Sequence, residues 1–262
     1  MKLSISNIAW ESENNDQVFR EMKKYGFSGI EIAPTKIIPE APYDHADNAI
    51  DFYQWIHTTF GFAISSMQSI WYGVSQKIFG SENEREYLLE YTKKAILFAE
   101  RIGCRNLVFG CPRNRAIPDD ADPAVAVCFF RELGNYAFQH HTVIGLEANP
   151  PIYHTNYINT TVEALDLIRL VDSKGFRLNL DVGTMIENNE ELTVLNGSEE
   201  FINHVHISEP GLGPLNKHLL HQQLASFLNS ISYKGFVSIE TGYRDNLNDL
   251  SRMMKYVAEI FS

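Results

Sequence analysis

Four residues in the second half of the chain could act together: Glu147, Asp181, His206 and Glu240. Each closes a short apolar run, and the four lie 34, 25 and 34 positions apart. The runs read VIGLE, RLNLD, NHVH and FVSIE. Side chains alternate across a strand, so phase can be read from the neighbours. One position before each candidate stands Leu146, Leu180, Val205 or Ile239, all apolar. Two positions before stands Gly145, Asn179, His204 or Ser238, all small or polar. The candidates share a face with this second set and converge if the runs are neighbouring strands. Three carboxylates aimed into one space repel one another, and a divalent cation removes the repulsion. Two Glu, one Asp and one His suit one divalent metal ion: Mn²⁺, Mg²⁺ or Co²⁺, with Zn²⁺ also acceptable. Two octahedral positions would stay open for two adjacent substrate oxygens. A single acid after an apolar run is more often a turn or helix cap. The common phase of all four is what capping leaves unexplained.

The elements that must place these residues alternate along the whole chain. Strands are expected at Leu3 to Ile8, Gly29 to Ile32, Ala63 to Met67, Arg105 to Phe109, His141 to Glu147, Phe176 to Asp181, Ile202 to Ile207 and Gly235 to Glu240. Helices are expected between them: Asn15 to Tyr25, Asp44 to Phe60, Glu82 to Ile102, Pro123 to His140, Thr160 or Thr161 to Val171, Lys217 to Ile231 and Asn248 to Ile260, with a weaker one near Glu190 to Leu195. Eight βα units in 262 residues point to an α/β fold, a single (β/α)₈ TIM barrel forming one domain over residues 1–262. No GxGxxG and no phosphate-binding loop follows the first strand, which argues against a doubly wound sheet. Barrel sites lie at the C-terminal ends of the strands, where the four candidates fall.

Composition narrows the function classes. Lys and Arg number 22 against 33 Asp and Glu, a net charge of −11 with no basic cluster. Nucleic acid is therefore not an expected partner. No apolar run approaches the ~18 residues of a membrane span, and the N-terminal MKLSISNIAW lacks a signal-peptide pattern. Cys104, Cys111 and Cys128 are odd in number and irregularly spaced, so free thiols in a reducing, cytoplasmic setting are expected.

The segments IGLEANP, LNLDVGTM, HVHISEPG and YKGFVSIETG resemble those of the xylose-isomerase-like barrel superfamily. That group includes D-tagatose and D-psicose 3-epimerases, related sugar and sugar-phosphate isomerases, and the AP-endonuclease family 2 proteins. YGFSGIEIAP and NLVFGCPRNR are similar but less diagnostic. The resemblance implies that Glu147, Asp181, His206 and Glu240 hold the metal. It also implies that Glu147 and Glu240 exchange a proton with a carbon beside a carbonyl, through an enediolate. The expected activity is a metal-dependent isomerase or epimerase in carbohydrate metabolism, acting on a small sugar or sugar phosphate. Barrels of this group often pair, so a homodimer is compatible, with no contact face identified.

Three positions depart from the ketohexose epimerases. Thr184 replaces a histidine, Leu212 an arginine and Tyr153 a glutamate. They keep two alternatives open: a metal-bound barrel that binds a sugar without turning it over, and an inosose-dehydratase-like lyase. Thr184 also breaks the DxxH of the endonuclease branch. Trp10, Glu31, Gln68, Arg113, Asn149, Thr184 and Glu209 are the further candidates for substrate contact, at or just after strand ends. Trp10 and Trp71 could equally be packing. His218 and His221 belong to a helix start, and His140 and His141 to a helix end.

Overall fold

The computed structural model describes residues 1–262. Eight parallel strands close into a barrel in chain order: β1 Lys2–Ser6, β2 Gly29–Ile32, β3 Ala63–Met67, β4 Leu107–Phe109, β5 Ile144–Leu146, β6 Phe176–Asp181, β7 Ile202–Ile207 and β8 Phe236–Ile239. The ring shuts where β1 pairs with β8, Ile5 opposite Ile239. Around it run α1 Asn15–Lys24, α2 Pro34–Ile37, α3 Ala46–Phe60, α4 Glu82–Arg101, α5 Ala124–Gln139, α6 Thr161–Val171, α7 Val182–Asn188, α8 Leu219–Ser230 and α9 Leu247–Phe261. No helix is long and apolar enough to cross a membrane.

Local sequence explains the boundaries. Thr160 caps α6: its hydroxyl accepts from the Glu163 amide, and the Glu163 side chain returns to the Thr160 amide. Ser81 and Glu84 do the same for α4. Gly61 ends α3 in the left-handed conformation that only glycine adopts without strain. Leu146, Leu180, Val205 and Ile239 are fully buried, in one apolar cluster with helix residues such as Phe130 and Leu165. The opposite phase fills the barrel with Asn179, His204 and Ser238, all buried. Register sets Asp181 opposite His206, whereas His206 pairs with Ser238, two positions before Glu240, so the donors are staggered around the ring.

Some expectations shift. β4 begins at Leu107 and β5 covers only Ile144–Leu146, both shorter than the apolar runs. β1 stops at Ser6, where a 3-10 turn, Asn7–Ala9, begins. The helix expected near Glu190 to Leu195 is replaced by α7, directly after β6, and Leu192–Leu195 is only a 3-10 turn. The cause is Asp181, whose carboxylate accepts from the Thr184 amide and caps α7. Asn189, left-handed, ends α7 before the expected segment begins.

Candidate metal centre

Glu147 and Glu240 immediately follow β5 and β8, while Asp181 ends β6 and His206 stands next to last in β7. Their four donor atoms lie within 4.8 Å of one another, and all four residues are buried. His206 Nδ1 faces Glu147 Oε2 at 3.0 Å and Glu240 Oε2 at 3.2 Å.

The other imidazole nitrogen decides what Nδ1 carries. His206 Nε2 lies 2.9 Å from Glu31 Oε2, and donating a proton there leaves a lone pair on Nδ1. That lone pair faces two carboxylates and one neutral donor, Asn179 Nδ2 at 3.3 Å, and a proton or a cation between it and the carboxylates relieves their repulsion. This is the orientation in which a carboxylate fixes a histidine as a metal ligand. Glu31, Glu147, Asp181 and Glu240 are four buried acids, and no Lys or Arg pairs with any of them. The donor set therefore fits a divalent cation.

Titration behaviour follows the same charge excess. Burial, with the Glu147 charge adding to it, pushes the Asp181 carboxyl up to about 6. Burial pushes Glu240 up to about 7 against the opposing pull of His206. Burial works against a charged His206, but Glu31 and Glu240 outweigh it and hold the imidazole well above its ordinary value. Burial likewise opposes ionisation of Glu31, yet His206 and His204 keep its carboxyl well below the usual range. Without a cation, the cluster retains protons to offset its own charge.

Hydrogen bonds aim the donors. Glu147 Oε1 accepts from Asn149 Nδ2 at 2.9 Å and Glu147 Oε2 from Asn179 Nδ2 at 2.9 Å. Asp181 Oδ2 accepts from the Thr184 amide at 2.7 Å and hydroxyl at 2.8 Å, and Oδ1 from a short Ser208 hydroxyl bond. Glu147, Asp181 and Glu240 line a cavity of about 150 Å³ together with Gln68, Ser69, Val108, Tyr153, Ser208 and Leu212, and His206 lies buried against them. Three non-glycine residues of its wall, Ser69, Cys111 and Leu212, are left-handed, with φ of 53°, 43° and 55°. Such strain concentrates at functional sites.

The structure brings only some of the expected contacts to this cavity. Gln68 and Asn149 line it. Thr184 is buried and spent on Asp181 and on the Ala148 carbonyl. Glu31 lies behind His206, fully buried, and meets His204, His206 and Gln68 instead of a substrate. Glu209 accepts from the Asn216 amide and pairs with His218. Arg113 is exposed on a 3-10 turn outside the wall. Trp10 donates to Asn15 Oδ1, packs edge-on against Phe19 and borders a separate cavity. Trp71 is core: it is buried against Phe109 and bonded to Thr92. Ser208 and Arg115 were missing from the sequence reading. Ser208 had a signal, since it lies two positions after His206 and so in the same phase. Arg115, in a loop, had none.

The model of the xylose isomerase-like TIM barrel family matches residues 19–260. The chain belongs to that family. Among solved structures, this xylose isomerase-like barrel is similar to 3-keto-D-glucoside 4-epimerase from E. coli, at 21% identity and TM-score 0.77 over 99% of both chains. It is also similar to D-psicose 3-epimerase from Clostridium cellulolyticum H10, at 15% identity and TM-score 0.78 over 100% of both chains. A third is the probable 3-DHS dehydratase from Bacillus anthracis, at 15% identity and TM-score 0.70, over 99% of this chain and 98% of that one. At such identities the likeness carries the fold. The curated proteins contain no match to this sequence.

Proposed function

We propose that this barrel is a metal-dependent sugar epimerase or isomerase that moves a proton on a carbon beside a carbonyl. The observation that carries the reading is the convergence of Glu147, Asp181, His206 and Glu240, three of which line one cavity. These four would hold the ion. A divalent metal there supplies Lewis acidity, neutralising the negative charge that develops on two neighbouring substrate oxygens as the proton leaves.

The chain's own groups do the rest. Glu147 and Glu240 approach the site from different strands, and one takes the proton while the other returns it on the opposite face. Ser69 and Gln68 line the cavity as sugar-hydroxyl partners, since Asn149 and Ser208 are engaged with Glu147 and Asp181. Val108, Pro112 and Leu212 offer an apolar strip for the C–H face. The wall carries three carboxylates and no Lys or Arg, which favours a neutral sugar over a phosphorylated one. The D-psicose 3-epimerase and 3-keto-D-glucoside 4-epimerase likenesses support the class of reaction.

Tyr153 favours a second reading, a lyase. Its hydroxyl accepts from the Gly211 amide at 2.9 Å, and its own proton stays free for a departing substrate hydroxyl. The test is turnover of a panel of neutral ketoses and cyclic polyol ketones, with Mn²⁺ and with EDTA. Epimerised sugar supports the first reading, and dehydrated product supports the second. Full activity in Glu147→Gln or Glu240→Gln overturns both.

A further inference from the structure

Arg115 is among the largest fully buried side chains, and no carboxylate pairs with it. A buried guanidinium without an acid partner is costly. A guanidinium stays charged at neutral pH. A neutral donor could satisfy one or two carbonyls more cheaply. Arg115 serves three acceptors with one rigid fork: Nη1 donates to the Glu147 carbonyl at 2.7 Å, and Nη2 to Asn149 Oδ1 and to the Ile158 carbonyl, each at 3.0 Å. β5 ends at Leu146, so the Glu147 carbonyl lies beyond the barrel ladder, and Arg115 takes it up.

The bond to Asn149 has a consequence for Glu147. An amide presents oxygen on one side and NH₂ on the other. Reversing Asn149 would set NH₂ against the guanidinium, donor against donor. With Oδ1 held by Arg115, Nδ2 must face Glu147 Oε1, and it donates there at 2.9 Å. Glu147 Oε2 is left to turn toward Asn179 and His206 Nδ1. Gly110 gives the pair room, since a Cβ there would stand 3.0 Å from Glu147 Oε1 and 3.2 Å from Asn149 Oδ1.

We infer that Arg115 is a positioning residue that acts through Asn149 to fix the orientation of the Glu147 carboxylate at the metal site. The inference rests on the metal-site reading above. It is tested by titrating Mn²⁺ calorimetrically into wild-type chain, Asn149→Ala, Arg115→Lys and the double variant, with the Tm of each metal-free protein measured alongside. Asn149→Ala leaves both carbonyl bonds of Arg115 in place, so it keeps the fold even if Arg115→Lys does not. Outer partners of metal ligands typically contribute about 10–100-fold in affinity. Asn149→Ala is expected to weaken Mn²⁺ binding by about tenfold or more with Tm near wild type. Arg115→Lys should weaken binding comparably, and the double variant should bind no worse than the weaker single. Unchanged Mn²⁺ affinity in Asn149→Ala overturns the inference alone. So does a double variant whose loss is the sum of the two singles. A wild-type chain that binds no Mn²⁺ overturns the metal reading, and this inference with it.

Discussion

Strands β5 to β8 each end in a metal-type donor, whereas β1 to β4 end in groups that hold those donors or leave space for them. Ser6 closes β1 and Glu31 lies in β2 opposite it; Gln68 follows β3 and bonds both. Glu31 in turn bonds the far nitrogen of His206. After β4 comes Gly110, whose missing side chain admits Glu147 and Asn149. Glu31 is buried, one residue before the end of its strand, and bonds Nε2 of His206, whereas Asp181 ends its strand and groups with Glu147, His206 and Glu240. The β5–β8 half carries three of the four buried acids and most of their orienting bonds, and Glu31 of the other half fixes His206 from behind.

Substitutions can break this division. Asp181→Asn keeps an oxygen to cap α7 but removes a ligand charge. Mn²⁺ affinity should fall by more than about 100-fold, beyond the range for outer partners. Glu31→Gln should lower it by about 10–100-fold, because the amide no longer fixes the His206 tautomer. Equal losses at 31 and 181 would erase the distinction between the halves. Gly110→Ala pushes a Cβ against Glu147 Oε1 and Asn149 Oδ1, and should weaken Mn²⁺ by about tenfold with little change in metal-free Tm. Ser81→Ala removes a cap of α4, remote from the site, and should lower stability by about 1 kcal/mol with unaltered metal affinity.

The charge excess of the ligand half also fixes a pH dependence. The carboxyls of Asp181 and Glu240 are raised to about 6 and about 7 in the metal-free chain. A raised carboxyl contributes stability below its unfolded value, about 4, and that contribution is lost as pH rises through the folded value. Metal-free protein should therefore lose stability between about pH 4 and pH 7 from these groups. A bound cation restores it, so the Mn²⁺-induced rise in Tm should be larger at pH 8 than at pH 5.5. A shift equal at both, or larger at pH 5.5, would show that the cluster is not held apart by charge.

Much of this was legible in the sequence, for physical reasons that also mark where legibility stops. Strand alternation has period two, so four in-phase donors could be read directly, and Asn179, His204 and Ser238 could be placed inside the barrel. Phase gives the face of a strand and says nothing of depth along the barrel axis. Glu31, expected among the substrate contacts, is fully buried and contacts His204, His206 and Gln68. Arg113 and Arg115 sit in a loop without periodicity, and only the loop's path puts Arg115 against Asn149 while Arg113 faces solvent. α7 carries no separate start signal, because Asp181 serves as both its cap and a ligand candidate.

The central claim is that four strand-end residues form one metal site whose histidine coordinates through Nδ1. Calorimetric titration of Mn²⁺ into chelator-treated protein at pH 8, beside Asp181→Asn, tests it most directly. One ion per chain for the wild type, with binding lost in the variant, is the predicted result. No binding by the wild type, or equal binding by both proteins, would contradict it.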